Sequence, residues 1–209
     1  MASVSVDKGV RNTLYWIAGF ISLILGLLIA SSLAPRTLTN EQFRELGFYR
    51  FDAPRLIRDF SLVDHTGISV GLDELRGQWS LLFFGFTTCP DICPTTLSIL
   101  NEAVSRIENP PQVVMVSVDP ERDTPDKLAS YVPAFNSAFR GFTGEPDEIA
   151  AFATQVYIAF GKVPGPSLGT YQVSHTASIV VVNPMARYEG FIKAPHNAQN
   201  IRKILNQLN

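Results

Sequence analysis

An α/β domain preceded by one membrane-crossing helix is the fold class the sequence predicts, and three observations carry that reading. No charged residue occurs between Arg11 and Arg36, and as a helix that stretch would run roughly 36 Å at about 1.5 Å per residue, longer than a hydrocarbon core of ~30 Å. Residues 80–86, 113–118 and 178–182 are apolar almost without a break, as in strands buried on both faces. Segments of helical period separate them, and buried strands alternating with helices make a sheet with parallel neighbours.

The densest apolar part, residues 14–34, carries Tyr15 and Trp16 near its start, where amphipathic rings suit a headgroup boundary. Lys8 and Arg11 precede it and place residues 1–13 on the cytoplasmic side, with the remainder exported. The stretch exceeds the ~7–15 residues of a cleavable signal core, and Pro35 directly after Ala34 makes a poor cleavage point. The expectation is an uncleaved, single-pass anchor. Without an Arg-rich presequence, the setting expected is a bacterial inner membrane with the soluble domain in the periplasm. Residues 35–58, polar and interrupted by prolines, are expected to be a tether, and residues 59–209 the folded domain.

Within that domain, residues 59–67 read as a short alternating strand entering a turn, and residues 72–77 as one helical turn closed by Gly77. The buried strand 80–86 follows. Leu97, Leu100, Val104 and Ile107 then form one apolar helical stripe that Pro110-Pro111 stops. After the second buried strand, Asp123-Thr124-Pro125 supplies a cap and a first-turn proline for a helix to about Val132. Residues 145–160 open with Glu145-Pro146 and continue as an apolar helix. The third buried strand turns at Asn183-Pro184 into a hairpin partner near residues 188–192, which adds an antiparallel edge. Ile201, Ile204, Leu205 and Leu208 place a last helix on one face.

The 209 residues include 46% hydrophobic and 17% charged, with a net charge of −2, so the chain is too apolar for disorder and too evenly charged for a nucleic-acid partner. Two cysteines exclude a multi-disulfide scaffold and any four-thiolate cluster within one chain. No Walker A or G-x-G-x-x-G pattern supports nucleotide binding.

The chemistry concentrates in Thr87-Thr-Cys89-Pro-Asp-Ile-Cys93-Pro94, where a buried strand ends and a helix begins. Sites in open α/β sheets form at the carboxyl ends of strands, and a helix N-terminus favours thiolate over thiol. Cys89 is therefore expected to be the more activated sulfur. Pro94 requires either a helix starting near it or a kinked first turn. Cysteines at i, i+4 lie about 6 Å apart at Cα, within reach of a disulfide or one shared metal ion. A loop this short makes a weak staple, which favours redox or metal chemistry over a structural bridge. Two thiolates alone can hold Cu(I), and a third ligand would admit Cu(II). Zinc is less suited, since closed zinc sites take four ligands. Of three histidines, His65 reads as a solvated turn residue and His196 as an ordinary surface position. His175 precedes the third buried strand, and its spacing alone leaves it as either a ligand or a loop residue. The acids between Asp119 and Asp126 are explained by turns and caps, with Arg122 and Lys127 intervening.

Phe60-Ser-Leu-Val-Asp64, Gly77 before the buried strand and cysteines at the next helix start resemble the thioredoxin superfamily. More narrowly, residues 86–94 with their C-x-x-x-C between prolines, Val118-Asp-Pro-Glu-Arg-Asp-Thr-Pro125 and His175 before the last buried strand resemble the Sco/SenC family. The resemblance, which includes the N-terminal anchor, implies a thioredoxin-like mixed sheet flanked by helices. It implies one copper ion, Cu(I) or Cu(II), on Cys89, Cys93 and His175. It also implies assistance to the copper-A centre in subunit II of cytochrome c oxidase, by copper delivery, thiol reduction or both, with a periplasmic copper donor upstream. Family members often carry acidic residues before the histidine, whereas residues 161–174 contain no Asp or Glu here and Ser174 precedes His175.

Three functions follow as expectations: a membrane-anchored copper chaperone, a thiol–disulfide reductase using Cys89 and Cys93, and a redox or copper sensor. A peroxidase ranks last, because no activating Arg stands beside the cysteines.

Overall fold

The computed structural model describes residues 8–33, 38–165 and 170–208, and the chain divides into two units, Met1–Thr37 and Leu38–Asn209. The first holds one helix, α1 (Lys8–Leu33), whose Lys8–Ile29 stretch is long and apolar enough to cross a membrane. Its large apolar side chains are exposed all round, Trp16 and Leu27 among them, as on a helix whose surroundings would be lipid. The helix starts six residues before the expected residue 14, and residue 34 lies outside the described residues.

The second unit opens with α2 (Asn40–Glu45), started by a capping box. Thr39 Oγ1 accepts the Gln42 N–H at 3.3 Å and the Gln42 side chain accepts the Thr39 N–H at 2.9 Å. Next come β1 (Phe48–Leu56), β2 (Leu62–Asp64), β3 (Ser69–Val70), a single 3-10 turn over Leu72–Leu75, and β4 (Ser80–Gly85). Then follow α3 (Ile92–Val104), β5 (Gln112–Ser117), α4 (Pro125–Tyr131), β6 (Arg140–Thr143) and α5 (Pro146–Gln155). The chain closes with β7 (Phe160–Pro164), β8 (Tyr171–His175), β9 (Ile179–Val182), β10 (Arg187–Ile192) and α6 (Ala198–Leu208).

One eight-stranded sheet runs β1-β10-β9-β4-β5-β6-β2-β3, while β7 and β8 pair separately. β4, β5 and β6 are parallel neighbours, and β9, β10 and β1 continue antiparallel. Every residue of β4 and of β9 is buried, as their unbroken apolar runs predict. Phe84 of β4 meets Phe152 of α5 at 5.8 Å between ring centroids, and Phe152 stacks on Phe60 at 4.1 Å. The predicted stripe of α3 is buried at Leu97, Leu100 and Val104. Arg202 of α6 donates to the carbonyls of Glu102 and Ala103, filling carbonyls that the end of α3 leaves open.

Two expectations change, and two further elements have no counterpart in the sequence pattern. Residues 40–56 are not tether: β1 pairs with β10 from Phe48↔Ile192 to Leu56↔Arg187. Its alternation is interrupted by Pro54 and a register shift, so a partner distant in sequence, rather than local pattern, makes it a strand. The helix expected to reach residue 160 stops at Gln155, because Tyr157 turns the chain at φ 59°. The apolar residues after it alternate into β7. β6 is too short, at four residues, to carry a recognisable period. The hairpin of β7 and β8 shows little apolar pattern because most of it is exposed.

Candidate metal centre

β4 ends at Gly85, and the chain then turns through Phe86, whose carbonyl accepts the Cys89 N–H at 3.2 Å. Asp123 fixes this corner from the next loop. Its carboxylate accepts the Thr87 N–H at 2.9 Å, the Thr87 hydroxyl at 2.6 Å and the Ser117 hydroxyl at 2.7 Å. α3 begins at Ile92 with Asp91 as its cap residue, which places Pro94 third in the helix. The first helical N–H groups have no intrahelical partner, so Pro94 removes no bond there; the ladder starts with Thr95 N–H to the Asp91 carbonyl at 3.2 Å. The sequence alternative of a helix starting near Pro94 is thus the observed one.

Both cysteines are free, and they differ in setting. Cys93 is fully buried, whereas Cys89 is half-buried. The Cys93 N–H points at Cys89 Sγ, 3.4 Å away. Burial first, and then the Cys89 contact, push the Cys93 thiol well above the ordinary cysteine range. This packing leaves Cys89 the more exposed of the two sulfurs.

His175, the last residue of β8, lies with Nε2 3.7 Å from Cys93 Sγ. Its Nδ1 is 3.1 Å from the Thr176 carbonyl, which can only accept, so the proton belongs on Nδ1 and the Nε2 lone pair faces the sulfur. Phe83 and Phe86 stand edge-on to the imidazole with centroids 6.0 Å and 5.9 Å away. Burial lowers the His175 pKa despite the Thr176 bond, so the ring is neutral at pH 7 and able to ligate. A cleft of about 580 Å³ opens over this corner, lined by Cys89, Ile92, Arg122, Tyr171 and His175 among others. Among the described residues no three His, Cys, Asp or Glu side chains already converge as a metal shell. The structure joins Cys93 to His175 and sets Cys89 at the same cleft.

The other histidines are elsewhere. His65 Nδ1 accepts the Gly141 N–H at 3.2 Å, and His196 is no ordinary surface residue: its Nε2 bonds the Ala177 carbonyl at 2.8 Å. Sequence reasoning missed how Asp119 and Asp123 work. Both are fully buried, and the cap of α4 is Thr124, which accepts the Lys127 N–H at 3.3 Å. Asp119 pairs with Arg122 and accepts the Tyr171 hydroxyl at 2.7 Å. Burial and that bond push the Tyr171 phenol up to about 12, so it remains a donor at neutral pH. No local pattern announces these contacts, because their partners lie 36 and 52 residues apart in sequence.

Gly85 is required by the same corner. A Cβ there would stand 2.8 Å from the Phe83 ring and 3.0 Å from Cys93 Sγ. Gly85→Ala should therefore lower stability by about 1–3 kcal/mol and loosen Cys93. Urea midpoints with thiol-reagent accessibility check this, and an unchanged midpoint with Cys93 still protected would contradict the close packing.

A sequence profile described as SCO1/SenC matches residues 50–209. The chain belongs to the SCO1/SenC family. It is 32% identical over 174 residues to the SCO2-like protein of Rickettsia felis, covering 80% of this chain and 84% of that one. It is 36% identical over 148 residues to the bovine mitochondrial SCO2 homolog, covering 68% of this chain and 56% of that longer protein. Among solved structures, the copper-bound ScoI of Arabidopsis thaliana superposes with a TM-score of 0.68 at 31% identity, covering 72% of this chain and 96% of that one. The domain thus has the mixed α/β, thioredoxin-like Sco fold that its motifs imply.

Proposed function

We propose that this chain is a membrane-anchored copper-binding protein that takes one copper ion on Cys89, Cys93 and His175 and serves the assembly of cytochrome c oxidase. The observation that carries this reading is the 3.7 Å contact between the Cys93 sulfur and the unprotonated side of His175, beside the half-buried Cys89 in one open cleft. Thiolate and imidazole are the donors that copper prefers in either oxidation state. Cys89 at the cleft and the Cys93–His175 pair would hold the ion together, and the open cleft would let an incoming thiolate displace ligands one at a time. Transfer to the copper-A site of subunit II, from a copper donor in the periplasm, is the use this exposure suits. α1 anchors the protein in a bacterial inner membrane, with the positively charged end at Lys8 and Arg11 inside and the second unit in the periplasm.

The test is a Cu(I) titration of the full chain in detergent micelles against a chelating competitor. One-to-one binding weakened by Cys89→Ser supports the ligand set. His175→Ala should spare most Cu(I) affinity and remove most Cu(II) binding, and unchanged Cu(II) affinity would reject the histidine.

The difference in burial of the two sulfurs favours a second reading, thiol–disulfide exchange. The Cys89 thiolate would attack a client disulfide, releasing one client thiolate and forming a mixed disulfide. Cys93 would then displace the second client thiolate, leaving an oxidised Cys89–Cys93 pair for an external thiol to reduce. Turnover of a peptide disulfide that survives His175→Ala but not Cys89→Ser, without tight copper binding, would favour this function instead.

A further inference from the structure

The turn over residues 119–123 holds both segments that carry the proposed ligands. Asp123 secures Thr87, two residues before Cys89, while Asp119 and Arg122 secure Tyr171, four residues before His175. β7 and β8 form their own two-stranded sheet, so the main sheet brings the hairpin to the cleft but gives β8 itself no main-sheet partner. Alternation puts Tyr171, Val173 and His175 on one face of β8. Val173 is buried, whereas Gln172 and Ser174 on the other face are exposed. The Val173 side chain is apolar and its packing has no preferred direction, while the Tyr171 side chain makes directional contacts. Its hydroxyl donates to Asp119 at 2.7 Å, and its ring lies 4.1 Å from the Arg122 guanidinium carbon and 4.5 Å from Lys162 Nζ. Arg122 also lies over Phe86, at 5.9 Å, the ring that walls His175.

We propose that Tyr171 is a positioning residue: clasped to Asp119 and Arg122, it sets where β8 presents His175 to Cys93, and so governs whether copper gains its nitrogen ligand. The copper half of this inference rests on the ligand set proposed above. A strand rises about 3.3 Å per residue, so a tilt at Tyr171 is carried along β8 to the imidazole. The two thiolates do not ride on this hairpin. Releasing the clasp therefore separates the two oxidation states, because Cu(I) is satisfied by the sulfurs alone and Cu(II) needs the imidazole.

The test is Tyr171→Phe in the full chain in micelles, which keeps the ring between Arg122 and Lys162 and deletes the hydroxyl. Cu(II) affinity should fall about tenfold, as when other outer-shell partners are removed, with Cu(I) affinity within about twofold. The Cu(II) EPR spectrum should change from one species to a mixture. In a His175→Ala background, Tyr171→Phe should have no further effect on copper. In the metal-free protein, exchange of the Thr176 amide, bonded to the Ala159 carbonyl at 2.8 Å, should accelerate. Equal losses for Cu(I) and Cu(II), the same loss without His175, or unchanged Thr176 exchange would each overturn the clasp. If the wild-type chain takes up no copper, the ligand set falls, and the Thr176 amide with the His175 ring resonances still decides whether Tyr171 positions the imidazole.

Discussion

Cys93→Ser should leave the full chain unable to carry copper through gel filtration, the largest functional loss expected of any single substitution in it. Four ligands hold a structural zinc ion with roughly 10–16 kcal/mol, or about 2.5–4 kcal/mol each, which corresponds to roughly 60- to 700-fold in affinity. Cys93 stands above that average here. Its sulfur lies 3.7 Å from His175 Nε2, and its N–H points at Cys89 Sγ, so of the three proposed donors it is the one in contact with both others. Serine is nearly isosteric in the space left by Gly85, and folding should change little. Competition titration with Cu(I), run beside a denaturation curve, separates the two effects. Wild-type affinity in Cys93→Ser would remove Cys93 from the ligand set.

The largest loss of stability should come from Asp64→Ala, far from the cleft. Asp64 is buried, and one of its oxygens accepts the Thr66 N–H at 2.8 Å, the Thr66 hydroxyl at 2.6 Å and the Ile68 N–H at 3.1 Å. The other oxygen pairs with Arg140 at 2.9 Å. Removing one partner of a buried pair costs about 3–5 kcal/mol, and the lower end applies because Arg140 keeps Glu74 at 2.5 Å. Burial alone would raise the Asp64 pKa, but the bonds from Thr66, Arg140 and Ile68 outweigh it and hold the carboxyl well below the usual range. A carboxylate whose folded pKa is depressed stabilises the protein above its unfolded pKa of about 3.9 and loses that contribution as pH falls. The gap between wild type and Asp64→Ala should therefore be full at pH 7 and narrow progressively below about pH 4. Urea denaturation followed by circular dichroism at several pH values measures it, and a gap that widens on acidification would contradict this assignment.

Elements whose stabilising contacts are written in local pattern were legible from residues alone. β4, β5 and β9 carry unbroken apolar runs because both faces are covered, and α3 and α6 show their buried stripes at helical spacing. α4 declares its start in Thr124-Pro125. Elements that depend on distant partners were not legible. β1 exists because β10 runs beside it, and its own sequence, with Pro54 and mostly exposed residues, resembles a linker. β7 and β8 stand apart from the core, so no burial imposes a period on most of their residues.

The candidate site divides along the same line. Cys89, Cys93 and their prolines form one short motif at a strand-to-helix corner, a place where donors converge in any fold of this class. The sequence by itself therefore determined the class of the fold, the apolar N-terminal helix, and a sulfur pair with a histidine in reserve. Only the tertiary structure decided which cysteine is buried, that His175 rather than His65 or His196 faces it, and that Asp119, Asp123, Arg122 and Tyr171 tie the corner together. The physical reason is separation along the chain. Periodicity and motifs record what a residue's near neighbours require, while the separation of 82 positions from Cys93 to His175 is closed only by the packed sheet that brings β4 beside β9.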